Sequence, residues 1–174
     1  INGMVPFSYP GESSGTLTVG GKDPAKTGIF GMSKIVGTVL QDTDGQFIGL
    51  TVAEDVAFAL ENDCVEQEEM FRAVDEVAEV VDIKALLGNA PTELSGGQKQ
   101  RVSMAGVLVD DVDILLFDEP LANLDPATGK RAIDLIDRIC RERDKTVIII
   151  EHRLEDALYR DVDRIVVILS LIHI

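Results

Sequence analysis

The chain has 174 residues, 45% of them hydrophobic, with 31 Asp and Glu against 16 Lys and Arg, a net charge of −15. That length suits one ordinary domain with a real core, and the composition excludes general disorder. The acidic balance opposes a nucleic-acid or anionic-lipid binder, because phosphates require Lys and Arg; no apolar run approaches the ~20 residues of a membrane-spanning helix.

Cys64 and Cys140 stand far apart with no CxxC pairing, so no disulfide framework is expected. The chain opens on Ile1 with no basic leader segment and reads as part of a longer protein. Pro6, Pro10, Gly11, Ser13, Ser14 and Gly15 mark an opening loop. Thr16–Val19 alternates, is rich in β-formers and stops at Gly20-Gly21, which predicts a strand and a turn. Ile35–Leu40 predicts a second strand. From Val52 to Leu87 the pattern is helical: Met70, Val74, Val77 and Val81 share one helix face, and acidic residues solvate the other.

From Leu94 onward, strands and helices alternate. Ile114–Phe117 and Val147–Ile150 are continuous apolar runs, the mark of strands buried on both faces. Asp125 and Pro126 predict an N-cap and first helical residue, with Ile133, Ile136 and Cys140 facing inward. Leu154, Ala157 and Leu158 suggest a short helix. Ile165–Ile168 is expected as a buried final strand, and Leu169–Ile174 as a poorly matched terminus. The alternation predicts an α/β fold with a mostly parallel sheet, whose ligands bind beyond the carboxyl ends of the strands. That rule selects Gln41, Asp118, Glu119, Glu151 and His152.

Two adjacent carboxylates, Asp118 and Glu119, end the run Leu115-Leu116-Phe117. Such a pair can hold Mg²⁺ and orient or deprotonate a water. Ser95 and Gln98 fit a capping box, and Gly96-Gly97 between them let backbone amides approach an anion at a helix start.

In order along the chain, these segments resemble the ATP-binding cassette (ABC) ATPases. Val39-Leu40-Gln41-Asp42 resembles the Q-loop and Leu94-Ser95-Gly96-Gly97-Gln98 the signature motif. Asp118-Glu119-Pro120-Leu121-Ala122-Asn123-Leu124-Asp125 resembles Walker B running into the D-loop, and Ile150-Glu151-His152 the switch-histidine segment. The resemblance implies a P-loop NTPase-like sheet with a helical lid: a partial domain with 1–49 and 94–174 as core and 50–93 as lid. It implies ATP and Mg²⁺ as cofactors, Glu119 as base or water-orienting residue, and Asp118 and Gln41 around Mg²⁺. His152 and Gln41 join Glu119 in the catalytic set, with His152 on the γ-phosphate. Ser95, Gly96, Gly97 and Gln98 would bind a nucleotide held mainly by a second ABC ATPase subunit, and Asp125 would act across that interface.

The family's G-x-x-x-x-G-K-[ST] loop is not in the sequence. The nearest candidate, Gly20-Gly21-Lys22, is followed by Asp23 and has Thr16 where the leading glycine belongs. Asn2-Gly3 resembles the end of the helix that follows this loop, so the chain is expected to begin just after it, and on its own to bind ATP weakly and not hydrolyse it. Gln41–Gly49 with its second glutamine, Ile150-Glu151-His152-Arg153, and the opening Asn2–Gly11 are similar to ATPases of energy-coupling-factor importers, which take up vitamins and metal ions; the opening also resembles thiamine or pyrimidine-precursor uptake systems. The resemblance implies a transmembrane transporter subunit as partner, a peripheral place on the cytoplasmic face of the cell membrane, and no nucleic-acid partner. The alternatives are a non-transport ABC ATPase acting in DNA repair or on ribosomes, and a non-hydrolysing interaction subunit.

Overall fold

The computed structural model describes residues 1–10, 14–42, 44–122 and 124–168. In chain order the elements are α1 (Met4–Phe7), α2 (Pro24–Ser33), β1 (Val36–Val39), α3 (Val52–Asn62), α4 (Gln67–Val80), α5 (Gly96–Leu108), β2 (Ile114–Asp118), α6 (Pro126–Glu142), β3 (Thr146–Ile150) and α7 (Leu154–Ala157). The three strands form a parallel sheet in the order β1-β2-β3. Val36 pairs with Ile114 and Val39 with Phe117; on the other side Ile114 pairs with Thr146 and Asp118 with Ile150. All three carboxyl ends therefore lie at one edge of the sheet.

Alternation along β2 divides the core. Leu115 and Phe117 join a large buried cluster with Val52 and Val56 of α3, Val74 and Val77 of α4, Val102 and Met104 of α5, and Ile133 and Ile136 of α6. Leu116 faces the other way, into a small cluster with Val19, Met32, Ile35 and Val36. Residues of α3 and α4 and residues of the sheet thus share one continuous core. The helix starts follow from their caps. Thr51 Oγ1 accepts from Glu54 N–H (3.3 Å) while Glu54 Oε2 accepts from Thr51 N–H (3.0 Å), a reciprocal cap for two otherwise unpaired donors. Asp125 caps α6 with Pro126 at its first position, as the sequence predicts.

β1 approaches α5 closely. A Cβ at Gly37 would lie 2.1 Å from Val107 Cγ1 and 3.0 Å from Val112 Cγ2. Gly37→Ala is therefore expected to cost about 1–3 kcal/mol through overpacking. Chemical denaturation measures it; an unchanged midpoint would mean that α5 can move away from the sheet at no cost.

Three sequence expectations need correction. Thr16–Val19 forms no strand: only Val19 pairs, in an isolated bridge with Lys22 across the Gly20-Gly21 turn. Val147–Ile150 is a strand but is not buried on both faces. Among the described residues it pairs only with β2, so its side chains are half-buried and Ile150 is 51% exposed. Ile165–Ile168 is exposed and forms no strand among the described residues; an apolar run needs a neighbour to complete a ladder, and no described residue pairs with it. Leu169–Ile174 lies outside the described residues. No helix among the described residues is long and apolar enough to cross a membrane.

Candidate functional site

Each strand delivers a polar residue at its carboxyl end. Gln41 follows β1 by two residues. The second glutamine braces this turn: Gln46 Nε2 donates to the carbonyls of Leu40 (3.3 Å) and Asp42 (3.1 Å), on either side of Gln41. Asp55, in the first turn of α3, holds the next stretch by accepting from the N–H groups of Ile48 (2.7 Å) and Gly49 (3.0 Å).

Asp118 ends β2, and Glu119 turns sharply out of it with φ 47°, a left-handed conformation that is uncommon for a non-glycine residue. The Glu119 N–H donates to Ile150 O (2.9 Å), pinning the turn to β3. This geometry brings three of the predicted residues together. Gln41 Nε2 donates to Glu119 Oε2 (2.7 Å), and His152 Nδ1 lies 3.6 Å from the same oxygen. His152 Nδ1 is also 3.3 Å from Glu151 Oε1. A carboxylate flanked by an amide donor and an imidazole at a strand end can hold and orient a water.

Mg²⁺ is usually held by one or two carboxylates together with substrate phosphates and waters. Asp118 supplies a partly exposed carboxylate beside this cluster, and Gln41 keeps its carbonyl oxygen while its amide binds Glu119. These donors fit a partial magnesium shell completed by phosphate. They do not form a protein-only cage: no group of three His, Cys, Asp or Glu suited to a metal occurs among the described residues.

The signature residues lie elsewhere, in a cleft of about 720 Å³ between the starts of α5 and α6. Ser95, Gly96, Gly97 and Gln98 line one wall and Asp125 the other. Gln98 Oε1 accepts from the Ser95 N–H (2.8 Å), one half of the predicted capping box. A Cβ at Gly97 would fall 2.7 Å from Thr128 Cγ2, so glycine there lets the two helix starts approach. The Asp125 carboxylate is engaged in its own helix. Its Oδ1 accepts from the N–H groups of Ala127 (3.0 Å) and Thr128 (3.1 Å), and its Oδ2 from the Thr128 hydroxyl (2.6 Å). The Thr128 hydroxyl, then the Thr128 N–H, holds this carboxyl below its ordinary pKa.

The sequence assigns no role to Gln46, Glu151, Arg153 or Gln100, although the strand-end rule selects Glu151 and the resemblance includes Gln46 and Arg153. Gln100 is buried at the cleft, with no hydrogen-bond partner for its Nε2 among the described residues. For Gln46 the available signal was its place five residues after Gln41. For Glu151 it was a charge directly after a β-branched run.

The sequence profile described as "ABC transporter" matches residues 6–122. A putative ABC transporter ATP-binding protein of Clostridium perfringens is 64% identical over 166 residues, 95% of this chain and 29% of that protein. One of Photobacterium profundum is 61% identical over the same shares. The chain thus spans less than a third of the length of these curated relatives. Among solved structures, cbiO1 of Clostridium perfringens, described as part of the ABC transporter complex cbiONQ, matches with TM-score 0.76 and 34% identity over 82% of this chain and 57% of that one. A bacterial ABC transporter cassette solved as a dimer matches with TM-score 0.63 and 28% identity, over 78% of this chain and 58% of that one. The motif order, the parallel sheet that gathers Gln41, Glu119 and His152, and these likenesses lead to one conclusion: the chain belongs to the ATP-binding protein family of ABC transporters, with the P-loop NTPase-type α/β fold of their ATPase cassettes.

Proposed function

We propose that these residues form part of the ATP-hydrolysing subunit of an ABC-type importer that couples MgATP hydrolysis to uptake of a small solute, of the vitamin or metal-ion class. The observation that carries the reading is the meeting of Gln41, Glu119 and His152 at the carboxyl edge of the sheet. Glu119 orients or deprotonates the attacking water, with its carboxylate held by the Gln41 amide. His152 sits beside the same oxygen, placed to contact the γ-phosphate. Asp118 and the Gln41 carbonyl would hold Mg²⁺, which would supply positive charge beside the phosphate oxygens.

Ser95, Gly96, Gly97 and Gln98 present helix-start amides to a nucleotide held mainly by a second ATPase subunit, and Asp125 faces them from the opposite wall of the cleft. The likenesses to cbiO1 and to a dimeric cassette support such a pair and an importer of the energy-coupling-factor type. Residues 50–93 act as a lid toward a transmembrane subunit, with 1–49 and 94–174 as core, and the assembly lies on the cytoplasmic face of the cell membrane. Because G-x-x-x-x-G-K-[ST] is not among the 174 residues, tight ATP binding requires phosphate-binding groups outside them; these residues alone bind ATP weakly and do not hydrolyse it.

The test is phosphate release by the complete gene product supplied with MgATP. Release that EDTA abolishes is the expected result. No release, with or without the membrane partner, would refute the assignment.

A further inference from the structure

β3 ends at Ile150, and the next side chain, Glu151, is a carboxylate only 2% exposed. A buried carboxylate is costly unless donors surround it. Here three backbone donors hold it, with His152 Nδ1 3.3 Å from Oε1. Glu151 Oε1 accepts from the N–H groups of His152 (2.9 Å) and Arg153 (3.0 Å), and Oε2 accepts from the N–H of Leu121 (3.2 Å).

Two residues on, Arg153 grips the same loop from the other side. Its Nη1 donates to the carbonyls of Leu121 (2.7 Å) and Leu124 (3.1 Å). Its Nε and Nη2 donate to Asp156 Oδ2 in α7 (3.0 and 2.6 Å). Leu121 is therefore held at both its N–H and its carbonyl. It lies two residues after Glu119, and Leu124 is the residue before Asp125.

We propose that Glu151 and Arg153 are positioning residues that lock the 119–125 loop to the His152 segment, so that the Glu119–His152 pair and the cleft wall at Asp125 are set by one rigid connection. The proposal rests on the ATPase reading above and deepens it. Neither side chain acts on the reacting atoms. Glu151 fixes the peptide on which His152 is mounted and the peptide two residues past Glu119. Arg153 spans the loop with a planar fork, which a lysine ammonium cannot reproduce. Movement in this loop would alter the spacing of Glu119 and His152 and the cleft wall together, which links the hydrolytic site to the surface proposed to meet a second subunit.

The test uses the complete gene product with Arg153→Lys and Glu151→Gln. Competent sites are titrated with a fluorescent, non-hydrolysable ATP analogue, and kcat is expressed per titrated site. Arg153→Lys is expected to lower kcat per site by about 10–100-fold, the scale of a small misplacement of reacting groups, with KM for MgATP within about threefold. A merely structural role would reduce the number of competent sites and leave kcat per site unchanged, and that result overturns the proposal. Arg153→Lys keeps the charge and the Asp156 contact, so it remains decisive if Glu151→Gln does not fold. Amide hydrogen exchange supplies a readout independent of hydrolysis. Arg153→Lys should speed exchange at Leu121 and His152 about tenfold, as for the loss of one hydrogen bond, with β2 unchanged. A wild type without phosphate release defeats the ATPase reading only. Unaltered exchange at Leu121 and His152 defeats the positioning proposal, whatever the turnover.

Discussion

Glu119→Gln in the complete gene product is expected to lower MgATP turnover by on the order of 10²-fold or more, as for loss of a general base, while nucleotide binding persists. The substitution removes little but the charge. The left-handed turn at φ 47° is set by the backbone hydrogen bond to Ile150 O, which the new residue keeps. Its amide oxygen can still accept from Gln41. What it loses is the ability to take a proton from the water that Glu119 is proposed to hold. Steady-state phosphate release and equilibrium binding of a fluorescent nucleotide separate the two properties. Turnover close to wild type would remove Glu119 from the proposed role and leave the Gln41 contact a structural one.

The second large effect is expected at the signature cleft. Ser95→Arg should abolish ATP-dependent dimerisation while leaving the nucleotide affinity of the monomer within about threefold, because the residue is proposed to meet a nucleotide on the other subunit. Ser95 is exposed at the start of α5. Arginine there loses the hydroxyl half of the capping box but keeps its own N–H on Gln98 Oε1, so the cost to the helix start is that of one cap, about 1 kcal/mol. A guanidinium-bearing chain would instead occupy the cleft between Gly97 and Asp125 that a phosphate has to enter. Light scattering with and without MgATP, in a Glu119→Gln background that prevents turnover, gives the answer. An equal dimer in both proteins would show that the cleft does not face a partner's nucleotide.

Much of this was legible from residue pattern. β2 announced itself as an apolar run ending in two carboxylates, and α4 by its spacing of Val74, Val77 and Val81, all three buried. The cap of α6 was readable from Asp125-Pro126. The same signal stands at Asp23-Pro24, where Asp23 accepts from the Ala25 N–H (3.0 Å) and α2 begins. It was missed because Gly28, at φ 77°, breaks the helix midway and destroys the apolar period on which a helix assignment depends. β3 misled for a different reason. A β-branched run has the same appearance in a central strand and in one paired on a single side, because the pattern records local preference and not what covers it. In the site, motif order was enough to gather Gln41, Glu119 and His152. The burial of Glu151 was not legible. A glutamate after a strand reads as solvated until Leu121, 30 positions away, is seen to turn its N–H toward it.

The parallel pairing of β1 with β2 also dictates an order of assembly. Gln41 and Glu119 stand 78 positions apart, and neither local helix formation nor a hairpin can bring them together. The entropy of closing so long a loop is reduced only if the intervening chain has already become compact. The contacts of α3 with α4 and α5 are the available means. The pair proposed to carry hydrolysis is thus among the last features to form. During synthesis β1 cannot reach β2, its partner among the described residues, until the ribosome has released the chain past Asp118. Over that interval the edge of β1 that β2 will cover is open to pairing with other chains.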